Sequence, residues 1–352
     1  MRILMGAVER RFVAGIGAGL LGLLVAQGCA KSVEDPSLRP RDPADAWADE
    51  FDRAEGLAQG AMFDEAEKRY LRALRLTRAF PDEDPRGVRT RLALADLYTV
   101  VGRIDEAERQ YLDVIALQRR VFGDENEAVA DSLNRLGVLY ADDGRAAAAE
   151  PLFEEALRLR LKIYGDRSPP TVATMQNLAS AYRETGRYDD AEVLYLQALD
   201  LYGASGEAYL GAGSVVQNNL AVLYRRMGRG AEAESLHLGA IEVSRAVNGP
   251  RNPNLARFRR DLANLYASQG RFDDAEESYH EAIGVFIANY GQSHYEVRQT
   301  YLDFAAMLAV AGREEDARYY RSLAAEIPAR RRTESEDGPA QARSDHVPDR
   351  TE

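Results

Sequence analysis

The chain has almost no cysteine, little histidine and no surplus of positive charge. Of 352 residues only Cys29 carries a thiol, so an intramolecular disulfide is impossible in any compartment. The four histidines, His237, His280, His294 and His346, fall in no metal-ligand spacing. No GxSxG elbow occurs, and Gly211-Ala212-Gly213-Ser214 lacks the lysine and the preceding spacing of a phosphate loop. The residues therefore point away from catalysis and call for no cofactor or metal. Lys and Arg number 45 against 57 Asp and Glu, a net charge of −12. Nucleic acid needs basic surface to release counterions, so it is not an expected partner, and broad adsorption to anionic lipid is disfavoured too. Proline is scarce inside the stretches with helical periodicity, which suits an all-α chain.

What is present is a repeat. Glycines stand every 42 residues at Gly60, Gly102, Gly144, Gly186, Gly228, Gly270 and Gly312. Alanines follow at Ala66, Ala107, Ala149, Ala191, Ala233, Ala275 and Ala317, the first step being 41. In the clearest unit, Gln176 to Leu199, apolar residues at helical spacing lead to Gly186 and resume from Tyr188. Glycine tolerates the positive φ at a helix C-terminus. Asp189 and Asp190 then place negative charge where the next helix begins. Such acid pairs recur in register, as at Asp273 and Asp274, and mark helix starts rather than an acid–base dyad. Leu94, Leu136, Leu178, Leu220, Leu262 and Phe304 form one core column, and Tyr98, Tyr140, Tyr182, Tyr224 and Tyr266 another. His237 occupies a column filled elsewhere by Tyr111, Phe153, Tyr195 and Tyr279, and is expected to be a packing histidine. The expected fold is an all-α solenoid of about seven stacked helical hairpins, spanning 47–327.

The flanks differ. Residues 1–28 run from a short basic segment into an apolar, Gly-rich stretch, the layout of a secretory signal rather than a comfortable membrane span. Cys29 follows at once, in Val25-Ala26-Gln27-Gly28-Cys29. This resembles the lipobox of bacterial lipoproteins, although Ala26 replaces the usual Leu and Gln27 is bulky. The resemblance implies lipidation at Cys29 and anchoring of the chain to a membrane of the bacterial envelope. Cleavage after Ala30 by the ordinary signal peptidase, with an incidental Cys29, is the competing reading. Residues 29–46 read as a flexible tether and 328–352 as a disordered polar tail.

The motifs NLASAY-x3-GRYDDAE-x2-Y-x2-AL at 177–199 and DLANLY-x3-GRFDDAE-x2-Y-x2-AI at 261–283 resemble the tetratricopeptide repeat, and more narrowly its 42-residue kinesin-light-chain kind. The end units depart from the pattern: the first lacks the tyrosine of its first helix, and the last has Leu308 and Arg321 in place of the paired tyrosines. The resemblance implies a non-enzymatic scaffold that binds an extended peptide on a concave face lined by the first helix of each unit.

Counted from the leucine column, that face carries Asn134, Gln176, Asn218 and Arg260 two residues before it. Ser180 and Asn264 stand two after it, Arg183 and Arg225 five after, and Glu184 and Arg226 six after. Asn134, Gln176 and Asn218 would make a carboxamide ladder for a peptide backbone. Arg183, Arg225, Arg226 and Arg260 would pair carboxylates of an acidic peptide. The competing reading is that these arginines neutralise Glu184, Glu232 and neighbouring acids. Two other functions stay open: a self-associating module joined through Tyr319, Tyr320 and Leu323, and a cytosolic adaptor without lipidation.

Overall fold

The computed structural model describes residues 42–204, 206 and 209–328. The signal-like segment, Cys29, the tether before Asp42 and the tail beyond Pro328 lie outside the described residues. Within them, fourteen α-helices form seven antiparallel hairpins, with no strand. The first helices of the hairpins are α1 (Pro43–Gln59), α3 (Pro85–Val100), α5 (Glu127–Asp142), α7 (Pro169–Glu184), α9 (Leu210–Arg226), α11 (Pro253–Ser268) and α13 (Tyr295–Val310). The second helices are α2 (Phe63–Leu76), α4 (Ile104–Phe122), α6 (Ala146–Tyr164), α8 (Tyr188–Ala204), α10 (Gly230–Asn248), α12 (Phe272–Tyr290) and α14 (Glu314–Ala325).

The two helix types start differently. Four first helices open on a side-chain cap followed by proline: Asp42-Pro43, Asp84-Pro85, Ser168-Pro169 and Asn252-Pro253. The capping oxygen accepts from a backbone N–H of the first turn, and proline loses nothing where its N–H would be unpaired anyway. Helix α1 thus begins at Pro43, four residues before the boundary expected at Trp47. His294, one of the four histidines, caps α13: its Nδ1 accepts from Glu296 N at 3.2 Å. Second helices lack such caps, and most place acids in the first turn instead, as Asp189 and Asp190 do in α8.

The turns between paired helices share one geometry. Arg187 N donates to Tyr182 O at 2.8 Å across Gly186, whose φ is +84°. This is the six-to-one bond that closes a helix through a left-handed residue. It recurs at Arg103, Arg145, Arg229, Arg271 and Arg313. The first turn keeps the bond, from Met62 N to Leu57 O at 2.9 Å, but without the glycine. Gly60 has φ −85°, and Ala61 holds the left-handed place at φ +57°. Gly60 is therefore not the equivalent of Gly102: the register of the first unit is offset by one, as the 41-residue alanine step indicated.

One apolar cluster runs from Trp47 in α1 to Ala317 in α14. The alanine column is fully buried at Ala66, Ala107, Ala149, Ala191, Ala233, Ala275 and Ala317, because paired helices touch there. Gly137 in α5 is the extreme case: a Cβ on it would lie 2.6 Å from Phe153 Cε1. First helices also touch the first helices of neighbouring hairpins, α5 with α7, α7 with α9, α9 with α11 and α11 with α13. Second helices make at most weak contacts of this kind. The first helices are accordingly the inner, crowded row of residues 42–328, and their free faces form the inner surface.

Candidate functional site

Two polar systems hold the inner helices. The first lies at the turns. In the fourth unit Arg187 lies 3.8 Å over the Tyr182 ring, and Arg187 Nη1 donates to Glu150 at 3.2 Å. The Tyr182 hydroxyl donates to Glu154 at 2.7 Å. The next unit repeats this with Arg229, Tyr224 and Glu192. Burial first, then the hydrogen bond to a carboxylate, pushes the Tyr98 and Tyr182 phenols up to about 12. These clasps join each second helix to the following hairpin. The sequence reading missed them, although the arginine after each turn glycine is spaced as regularly as the glycine itself.

The second system crosses the inner face. Asn177 Nδ2 donates to Asn134 Oδ1 at 3.0 Å. Asn218 Nδ2 donates to Asp261 Oδ2 at 2.8 Å. Arg260 Nε stands 3.9 Å from Asp303 Oδ2. All three pairs join the position two before the leucine column to the position one before it in the next unit. The expected carboxamide ladder therefore exists, but two of its rungs are closed within the protein. Asn218 is a clear correction. It is 3 % exposed, its nitrogen is committed to Asp261 and its oxygen to His237 Nδ1 at 2.8 Å. Between α7 and α9 the rung is open: Gln176 meets only the Tyr202 hydroxyl, at 3.5 Å, and Asn219 has no side-chain partner among the described residues.

His237 is fully buried, as expected of a packing histidine. Its column explains why. Tyr111, Tyr195 and Tyr279 pair their hydroxyls with Asp96, Ser180 and Asn264 in their own hairpins. Asn264 is thereby held by Tyr279 at 2.6 Å. Phe153 has no hydroxyl, and the matching position is Val138. His237 faces a unit whose matching residue is Val222, so its Nδ1–H turns to Asn218, and Nε2 is left without a partner. Burial lowers its pKa to about 4; the Asp261 carboxylate opposes the shift and Arg225 adds to it.

The arginines divide. Arg260 is 14 % exposed at its side chain and bound to Glu296 at 2.7 Å, so it is a structural ion pair. The Arg260 charge holds the Glu296 carboxyl below the usual carboxylate range against the opposing effect of burial. Arg183 and Arg226 share one carboxylate, Glu184, at 3.1 and 2.8 Å. Arg225 meets no carboxylate among the described residues, and its Nε is buried without a hydrogen-bond partner. Glu232, proposed as a neutralising acid, is taken by Arg229 at 2.6 Å. At the C-terminal ends of α7 and α9, two guanidiniums thus share a single carboxylate and a third, Arg225, meets none among the described residues, on the same two helices as the open rung of Gln176 and Asn219. The neutralising reading accounts for Arg183, Arg226 and Arg260, but not for Arg225.

No group of metal-ligating side chains occurs among the described residues, and no helix there is long and apolar enough to cross a membrane.

The profile of the tetratricopeptide repeat family matches residues 88–162, 128–204 and 214–288, more than half of the chain. Among solved structures, BtubC (BKLC) from P. vanneervenii is similar at 20% identity and TM-score 0.51, over 71% of this chain and 99% of that one. Aspartyl phosphate phosphatase F from Bacillus subtilis is similar at 11% identity and TM-score 0.65, over 81% and 70%. The quorum sensor NprR from B. thuringiensis is similar at 16% identity and TM-score 0.61, over 81% and 77%. At such identities the likeness extends to the fold alone. No curated protein matches the chain.

Proposed function

Since the chain belongs to the tetratricopeptide repeat family, we propose that it is a non-enzymatic scaffold that holds a protein partner on its inner face. Its principal contact is an acidic segment laid across α7 and α9. The observation that carries this reading is the imbalance of charge at the ends of these helices: Arg183 and Arg226 share Glu184, and Arg225 pairs with no carboxylate among the described residues. A guanidinium that meets no carboxylate among the described residues is available for a bidentate bond to one from a partner. Gln176 and Asn219, earlier on the same two helices, offer amide donors and acceptors for the backbone of the bound segment. Asn134, Asn218 and Arg260 hold the inner helices together and take no part in recognition.

Two further elements belong to this reading. The 42-residue unit puts the array in the kinesin-light-chain kind of repeat. Cys29, at the end of the signal-like segment, is the lipid acceptor, so the scaffold sits on a bacterial envelope membrane by a short tether. A Cys29→Ser chain is expected in the soluble rather than the membrane fraction, and an unchanged distribution would remove the anchor from the account.

The test of recognition is a comparative capture from solubilised membranes with the full chain as bait. The control bait carries Arg183→Glu, Arg225→Glu and Arg226→Glu, with helicity checked by circular dichroism. A partner retained by the first bait and lost by the second is the expected result. Identical captures would move the site away from α7 and α9.

A further inference from the structure

The first unit departs from the others where α2 ends, away from the inner face. Helix α2 stops after 14 residues, whereas α4, α6, α10 and α12 run 19. A 3-10 turn at Thr77–Ala79 and a second turn, closed by Asp84 N donating to Pro81 O at 2.9 Å, lead to α3 in place of the missing helical turn. Between α2, this connector, the start of α3 and α4 lies a cavity of about 790 Å³. The same place four repeats further on, lined by Leu255, Arg259 and Glu281, encloses about 270 Å³.

The repeat supplies an internal comparison for what enlarges it. Gly87 stands where other units place Val129, Thr171, Leu255 and Val297, all buried. A Cβ on Gly87 would meet nothing within 4 Å, so no neighbour forces glycine there. Nor does its backbone, which is not left-handed. Gly213 occupies the same column, but there Tyr202 fills the space, its Cβ 3.7 Å from where a Cβ would stand. Glycine weakens a helix, and at Gly87 the only structural consequence is room.

Charge and lining say what the room suits. Leu71, Leu74 and Leu117 supply an apolar wall. The three carboxylates that line the cavity are each engaged: Asp82 with Arg120 at 3.2 Å, Asp84 with the Arg86 backbone at 2.9 Å, and Asp113 with Arg91 at 3.9 Å. The last pair is looser than its counterpart, Arg259 with Glu281 at 2.7 Å. Arg75 and Arg78 also line the cavity and form no ion pair among the described residues. Two uncompensated guanidiniums over an apolar wall match an anionic head on a hydrocarbon tail, and the volume falls within the range of small-molecule sites. No aromatic ring lines the cavity, so nothing there would stack a nucleobase.

We propose that the cavity made by the shortened α2 and Gly87 binds a small anionic amphiphile, its carboxylate or phosphate held by Arg75 and Arg78 and its chain lying against Leu71, Leu74 and Leu117. The test is calorimetric titration of the full chain with decanoate and with decyl phosphate below their micelle concentrations. 1-Decanol and inorganic phosphate serve as controls. One or both amphiphiles should bind saturably at one site, and the pair tells a carboxylate head from a phosphate head. Gly87→Leu, which restores the residue found at Leu255, should weaken binding at least about tenfold without lowering the melting temperature. Arg75→Gln with Arg78→Gln leaves the packing untouched and should cost a similar factor. Absence of saturable binding, equal binding of 1-decanol, or unchanged affinity in either variant would overturn the proposal. Because none of these residues lies on α7 or α9, either outcome leaves the peptide reading to its own test.

Discussion

Single residues set the turn and the buried column of this solenoid. Ala61 holds a left-handed conformation that glycine provides in the other turns, and a Cβ is strained there. Ala61→Gly should stabilise the array by about 1 kcal/mol, read as a higher urea midpoint; an unchanged or lower midpoint would contradict the assignment. His237 titrates at about 4 in the folded chain because burial penalises its charged form. Its unfolded value is about 6.5, so below that pH the unfolded chain binds the proton first. Stability is then whole above about pH 6.5 and falls as the pH is lowered towards 4, by up to about 3 kcal/mol. His237→Phe, which copies Phe153 opposite an equivalent valine, should flatten that dependence in denaturation curves at several pH values. Persistence of the slope in the variant would assign it to other groups.

At the scale of the helix pair, close approach is the controlling feature. Gly137→Ala would set a methyl against the Phe153 ring at 2.6 Å, and overpacking of this kind costs about 1–3 kcal/mol. The melting temperature should fall, and Phe153→Leu should restore part of it; no fall would mean that α5 and α6 pack more loosely than described. The alanine column and the turn glycines from Gly102 onward were legible in the sequence because each follows from periodicity within one unit, whereas the start of α1 and the first turn were not. Partners across units were not. A position two before the leucine column points to the inner face, but the neighbouring helix arrives there as well. Asn134 and Asn218 are therefore taken up by Asn177 and Asp261. Arg225 was named from its column alone, and its lack of a carboxylate depends on which side chains the neighbouring helices bring to it, which periodicity does not carry.

At the scale of residues 42–328, clasps and rungs join each hairpin mainly to its immediate neighbours, the pattern of a solenoid whose stability is a sum of units and interfaces. The interface between α7 and α9 is the one where a rung stays open and positive charge is in excess, within a chain whose net charge is −12. The most direct measurement is fluorescence anisotropy of a labelled glutamate-rich peptide titrated with the full chain, at low and at physiological salt. The account predicts saturable binding that weakens with salt and drops at least about tenfold on Arg225→Glu, with a lysine-rich peptide unbound. Equal binding of both peptides, or an affinity indifferent to Arg225, would contradict it.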